Sequence, residues 1–210
     1  MGCLSSSGIG TKIENAVTTK SDSDKYRVVM IVGGPGCDTA TLASQIAEEY
    51  KYNSLAISEL LKKYTSAKSA GDWEEILNDM NSGKLVSTAN VLKVLKVSIL
   101  ASSEKKILLQ GYPKSQSNYD EWVSTMGGLC TLKAVVYIEL QDDVLKSNLS
   151  AKGYADDTIT TKMDTFTNDT KPILEKLKTD GLLITLDGSK SADDLKTDAF
   201  AAFQEKKLYQ

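Results

Sequence analysis

Histidine is absent from all 210 residues. That absence excludes Ser–His and Cys–His catalytic pairs and any histidine-ligated metal. Arginine is almost absent: Arg27 stands alone among 25 Lys and Arg residues. Lysine is a flexible point charge, whereas arginine is a rigid fork that grips two phosphate oxygens at once. A chain that clamps several phosphates ordinarily uses forks, and composition bias behind a shortage does not change the chemistry at a phosphate site. The three cysteines, Cys3, Cys37 and Cys130, are too few and too scattered for a disulfide framework or a zinc site. They imply a reducing, intracellular compartment. No apolar run approaches the ~20 residues of a membrane-spanning helix. The net charge of -3 lacks the basic excess of a nucleic-acid surface.

What is present suits one folded domain. Hydrophobic residues make up 41%, enough for a sizeable core, and charged residues make up 25%, as in soluble domains. The chain opens Met1-Gly2-Cys3-Leu4-Ser5-Ser6. Gly2 with Ser6 fits the N-myristoylation pattern, and the adjacent Cys3 is a candidate for palmitoylation. Two acyl chains hold a membrane stably where one does not. The bland alternative is an unmodified tail. Residues 1–25 are rich in Ser, Thr, Asp and Lys and read as a flexible tether, with the folded domain spanning 26–210. The expected location is a plasma or ciliary/flagellar membrane, or the cytoplasm if the tail is bare.

From Val28 to Val32 a β-branched apolar run predicts a buried strand. A glycine turn at 33–36 follows, then a helix with Leu42, Ala43, Ile46, Ala47 and Tyr50 on one face. Strand, glycine turn, helix opens many nucleotide-binding α/β domains. Further strands are predicted over 53–57, 106–110, 134–140 and 182–186. Helices are predicted over 58–68, 72–80, 88–101, 142–151, 158–179 (bent at Pro172) and 192–206. In the 88–101 helix, Val91, Leu92, Leu95, Val97 and Ile99 are the candidate buried positions. Five strands with intervening helices predict a three-layer, doubly wound α/β fold: a five-stranded parallel sheet covered on both faces. Trp73 and Trp122 are expected to pack internally.

Taken together, several short motifs resemble the adenylate kinase family, the short-lid branch of nucleoside monophosphate kinases, over about residues 25–205. Val29 to Gly36 is similar to the family's first strand and phosphate loop. Leu60-Leu61-Lys62 resembles the start of its monophosphate helix, and Ser82-Gly83-Lys84-Leu85-Val86 its G-x-L-V turn. Gln110-Gly111-Tyr112-Pro113-Lys114 resembles its D-G-[FY]-P-R. Asp156-Asp157 resembles the end of the lid, and Lys171-Pro172-Ile173-Leu174 the segment after it. The resemblance implies a P-loop kinase fold with a short lid. It implies ATP, ADP, AMP and magnesium as ligands if activity is retained.

The site positions depart from the pattern. The family's loop G-x-P-G-x-G-K-G-T reads here Gly33, Gly34, Pro35, Gly36, Cys37, Asp38, Thr39, Ala40, Thr41. Thr39 replaces the lysine that would bridge the β- and γ-phosphates. Asp38 brings a negative charge to an anion site. Two such charges ~4 Å apart repel by ~4 kcal/mol at an effective dielectric near 20. Asp is also a favoured helix N-cap, so its carboxylate is expected to take the N–H groups that otherwise hold phosphate. Cys37 beside it reads as a small turn residue rather than a redox switch. By the resemblance, Ile57 and Lys62 replace the monophosphate-holding threonine and arginine, and Glu59 replaces an aspartate. Gln110 replaces the magnesium-ordering aspartate, Lys114 an arginine, and Asn118 the glutamine that reads adenine. The lid, with Asn148, Lys152 and Lys162, holds no arginine. Thr39, Lys114 and Lys162 are therefore degenerate catalytic positions. The sequence predicts a catalytically impaired, membrane-tethered binding or structural module with possible protein partners. Two alternatives stay open: a working kinase (ATP + AMP to 2 ADP) with a lysine-based site, and a nucleotide sensor without turnover.

Overall fold

A computed structural model describes residues 21, 23–66, 73–81 and 86–210. Residues 1–20 and 22 of the expected tether, including Gly2 and Cys3, and residues 82–85 of the expected turn lie outside the described residues. The strands are β1 (Tyr26–Gly33), β2 (Asn53–Ala56), β3 (Lys106–Gln110), β4 (Cys130–Glu139) and β5 (Leu183–Asp187). The helices are α1 (Ala40–Tyr50), α2 (Ile57–Ser66), α3 (Glu74–Asn81), α4 (Thr88–Leu100) and α5 (Gln116–Met126). They continue with α6 (Asp142–Ala151), α7 (Asp156–Thr165), α8 (Lys171–Thr179) and α9 (Ala192–Glu205).

Every strand pairing is parallel, in the order β2-β3-β1-β4-β5. Parallel strands need crossover helices, and these cover both faces. On one face Val28, Met30, Ile107, Leu109 and Val135 pack against α4, α5, α6 and α8. On the other, Val29, Ile31, Leu108, Val136 and Ile184 pack against α1 and α9. The unbroken apolar run of β1 arises because successive side chains enter two different cores. This is the three-layer, doubly wound arrangement that the alternation of elements predicts.

Some local expectations are corrected. Ile57 begins α2 rather than ending β2. In α4, Val94 is buried and Val97 only partly so, because the helix turns its 91, 92, 94, 95, 99 stripe to the sheet. Helix α5 had no counterpart in the pattern: only Trp122 and Met126 are deeply buried on it, too few to set a period. The long helix expected over 158–179 begins at Asp156 and is interrupted by a π-helical turn, Phe166–Thr170. Pro172 sits at the start of α8, where its missing N–H costs little.

Side-chain capping fixes where several helices start. Ser87, Ser115 and Ser191 accept the N–H of Asn90, Asn118 and Asp194. Trp122 is fully enclosed, and Trp73 is half-buried against Tyr64 at 4.9 Å between ring centroids. Phe203 is 0% exposed and stacks on Tyr50 with ring centroids 5.2 Å apart. We expect Phe203→Ala to cost about 3–5 kcal/mol in urea unfolding through the cavity it leaves. Val123, 51% exposed, should tolerate alanine within about 0.5 kcal/mol.

Candidate functional site

A parallel sheet delivers all its strand ends to one edge, and ligands bind in the crevice outside those carboxyl ends. Here the loop from β1 into α1 sits at that crevice. Pro35 and Gly36 occupy the middle of a tight turn, in which Cys37 N donates to Gly34 O at 3.0 Å. Gly36 has φ +87°, and a Cβ there would lie 2.9 Å from the Leu145 carbonyl oxygen. Only glycine meets both demands.

Just past this turn stands Asp38. Its Oδ1 accepts from Ala40 N at 3.0 Å and from Thr41 N at 3.2 Å. Its Oδ2 accepts from the Thr41 hydroxyl at 2.6 Å. The first α-helical bond runs from Ala43 N to Thr39 O. Thr39 is therefore the N-cap residue of α1, and Asp38, one position earlier, supplies the side-chain cap. Thr39 has no side-chain cap bond of its own, and its methyl turns back against Gly33. The Thr41 hydroxyl, then the backbone N–H groups of Thr41 and Ala40, and last the charge of Lys152 hold the Asp38 carboxyl below its usual range. Partial burial opposes them and is outweighed.

The neighbouring groups adapt to this carboxylate. Burial pushes the Cys37 thiol up to about 11, and Asp38 adds to the rise, against an opposing pull from Lys152. At neutral pH Cys37 is a protonated, unreactive thiol, as expected of a turn residue. Asn148 and Lys152, on α6 and just past it, donate to Gly36 O at 3.5 and 3.3 Å. They brace the loop from the lid side. Beside it opens a cleft of about 290 Å³, lined by Asp38, Leu140, Val144, Lys190 and Leu195 among others.

The remaining candidate positions lie on separate elements. Lys114 precedes α5, with its backbone fixed at both ends: Lys114 N donates to Asn118 Oδ1 at 3.2 Å, and Lys114 O accepts from Thr170 Oγ1 at 2.8 Å. The Lys114 side chain reaches solvent, yet surrounding protein crowds it. That crowding, followed by repulsion from Lys162, lowers its pKa. Lys162 on α7 also lies 5.1 Å from the Tyr154 ring centroid. The two lysines are therefore electrostatic neighbours, whereas Lys62 projects from the exposed side of α2. Asn118 spends its amide on structure, since Nδ2 donates to Thr88 Oγ1 at 2.8 Å while Oδ1 caps Lys114. Gln110 Nε2 donates to Ser54 Oγ at 2.7 Å, tying β3 to β2. A neutral amide committed to a hydroxyl does not suit a hard divalent cation. Among the described residues no cluster of three metal-ligating side chains occurs.

Sequence reasoning missed Thr88 and Thr170. Thr170 is buried and comes from the π-helical turn, whose extra residue re-aims its hydroxyl at the Lys114 loop. No local pattern signals that placement.

The Asp38 cap has a pH signature. A carboxyl with a depressed folded-state pKa contributes stability above its unfolded value, here near 3.8, and loses it as pH falls through the folded value. We expect the urea-midpoint difference between the protein and Asp38→Asn to be constant from pH 7 to about 4.5 and to shrink progressively below that. An unchanged difference at pH 2 would remove the charge from the account.

Comparison with known proteins agrees with this geometry. The family model described as adenylate kinase matches residues 31–182. An adenylate kinase of Synechococcus sp. (strain WH7803) is 31% identical over 174 residues, 80% of this chain and 94% of that protein. A UMP-CMP kinase of Danio rerio is 27% identical over 186 residues, 83% of this chain and 95% of that protein. The human UMP-CMP kinase is 26% identical over 193 residues, 86% of this chain and 98% of that protein. With the five-stranded parallel sheet, the glycine loop ahead of α1 and a match across most of the domain, the chain belongs to the adenylate kinase family.

Proposed function

We propose that this family member holds its phosphate loop occupied by its own Asp38 and is strongly impaired in phosphoryl transfer. The observation that carries the reading is the pair of bonds from Ala40 N and Thr41 N to Asp38 Oδ1. A phosphate loop works because unpaired backbone N–H groups converge on an anion at a helix N-terminus. Here a fixed carboxylate takes those donors, and its charge opposes any phosphate that approaches. Thr39 supplies no ammonium, and Gln110 supplies no carboxylate for magnesium. Phosphoryl transfer depends on positioning and charge neutralisation, and loss of one cationic clamp can cost ~10³ in rate. On this reading the protein serves as a binding or structural module, tethered to a membrane through acylated Gly2 and Cys3.

A second reading is a working nucleoside monophosphate kinase, converting ATP and AMP to ADP with lysines at former arginine positions. Two observations favour it. The relatives are named as kinases across nearly their whole length. Lys114 and Lys162 are also close enough for each charge to act on the other. A nucleotide sensor without turnover lies between the two.

The readings separate in solution. We expect no thermal shift with millimolar magnesium-ATP, and no ADP formation from ATP and AMP above background at high protein concentration. Turnover near ~10 s⁻¹, an ordinary enzyme value, would establish the kinase reading instead. A thermal shift without turnover would indicate the sensor. The triple substitution Asp38→Gly, Thr39→Lys and Ala40→Gly should free the loop. At a concentration 100 times its dissociation constant, ATP would then add about 2.7 kcal/mol of stability. The tether has its own check: intact-mass measurement of the native protein should show an acylated N-terminal glycine, and a bare or acetylated one would remove the lipid anchor.

A further inference from the structure

Charge is distributed along the sheet axis in a way the net value of -3 conceals. Crossover helices run opposite to the strands, so their N-termini gather at the carboxyl edge and their C-termini at the amino edge. Acids favour helix starts and bases favour helix ends. Asp142 and Asp143 open α6, and Asp193 and Asp194 open α9, around the Asp38 crevice. At the opposite edge stand Arg27, Lys105 and Lys106 at strand starts, Lys178 at the end of α8, and Lys206 and Lys207 just past α9.

The contacts at this amino edge leave its charge in place. Lys105 Nζ donates to Asp24 O at 3.2 Å and lies 4.4 Å from the Tyr26 ring centroid. Lys106 Nζ donates to Tyr209 O at 3.0 Å and lies 5.6 Å from the Tyr52 ring centroid. Carbonyl oxygens and ring faces hold an ammonium without neutralising it. Arg27 is close enough to Tyr52 to oppose the burial that pushes its hydroxyl up to about 12. The acids at the same edge are fewer: Asp24, Glu104 and Glu205, with Asp180 already paired to Lys176 at 2.9 Å. Lys51 adds little, since it shares a groove with Glu48 and Glu49. Tyr209, whose carbonyl accepts from Lys106, is 38% exposed and offers an amphipathic side chain at this edge.

We infer that the amino edge of the sheet, centred on Arg27, Lys105, Lys106, Lys206 and Lys207, is a docking surface for an anionic lipid bilayer. Clustered lysines gain from the negative surface potential of such a leaflet, and an interfacial tyrosine suits the headgroup layer. The chain leading into β1 arrives at this same edge through Ser21 and Asp24. The Asp38 crevice at the far edge then faces away from the membrane, toward solvent. The surface uses none of the loop residues and no lipid of its own, so it holds whether or not the loop turns over nucleotide and whether or not Gly2 is acylated.

The test uses the full-length chain without acylation, co-sedimented with vesicles of phosphatidylcholine alone or with about a third phosphatidylserine. Binding to the serine-lipid vesicles only, weakening between 50 and about 500 mM salt, is the expected result. Lys105→Gln, Lys106→Gln and Lys206→Gln together should lower partitioning about 100-fold, at roughly 5-fold per lysine. Lys146→Gln, Lys171→Gln and Lys190→Gln, away from that edge, should change it less than about 3-fold. The salt series on the unaltered protein needs no variant to fold. Equal binding to both vesicles, no binding, equal losses in the two triple variants, or a preference for single-stranded RNA over vesicles would each overturn the proposal.

Discussion

One carboxylate governs the centre of this protein. Asp38 lies where backbone donors converge at the start of α1, and it takes two of them together with the Thr41 hydroxyl. The helix N-terminus is thereby capped from within the chain, and its partial positive charge is already matched. The rest of the crevice is arranged around that fact. Cys37 stays protonated beside the negative charge, and Lys152 lies near enough to favour the carboxylate while bracing Gly36. The bonds that Ala40 N, Thr41 N and the Thr41 hydroxyl make to Asp38 persist at neutral pH, where the carboxylate is ionised.

The scaffold does not depend on that chemistry. Its cohesion comes from a sheet buried on both faces, with one side of β1 serving each core. Residues around the crevice can therefore vary without unfolding the domain, because they stand outside the two packed layers. Gln110 and Asn118 illustrate the outcome. Each has an amide drawn into a hydrogen bond with a neighbouring hydroxyl, Ser54 or Thr88, which ties one element to another.

The same topology separates charge. Acids open α6 and α9, while lysines lie at the end of α8 and just past α9, each the local preference of a helix end. Because these crossovers run the same way, the acids at helix starts collect near the crevice and the lysines past the helix ends collect at the opposite edge. The sole guanidinium, Arg27, begins β1, while the loop follows its end. At ~3.3 Å per residue the length of β1 places them about 20 Å apart. The fork best suited to phosphate is thus at the wrong end of the molecule for it.

Much of this was legible from residues alone, where a local rule was sufficient. The β-branched run at 28–32, the acidic start of α6 and the glycine turn each have a short-range cause, and β3 and α6 lie where their patterns place them. The Asp38 cap is likewise a property of Asp beside a helix start. Other features needed the folded chain. Helix α5 is held by only two deeply buried side chains, so it has almost no periodic signal. Val94 replaced Val97 in the core because the sheet, not the helix, chooses which stripe is covered. Thr170 meets Lys114 across 56 positions, through a π-helical turn whose sequence announces nothing. The sequence by itself determined the order of the strands, the glycine loop and the Thr39 and Asp38 that follow it, since these depend on neighbours a few residues apart. Only tertiary structure decided which amides were consumed, which lysines became neighbours and which edge became basic, because those depend on distances that no local pattern encodes.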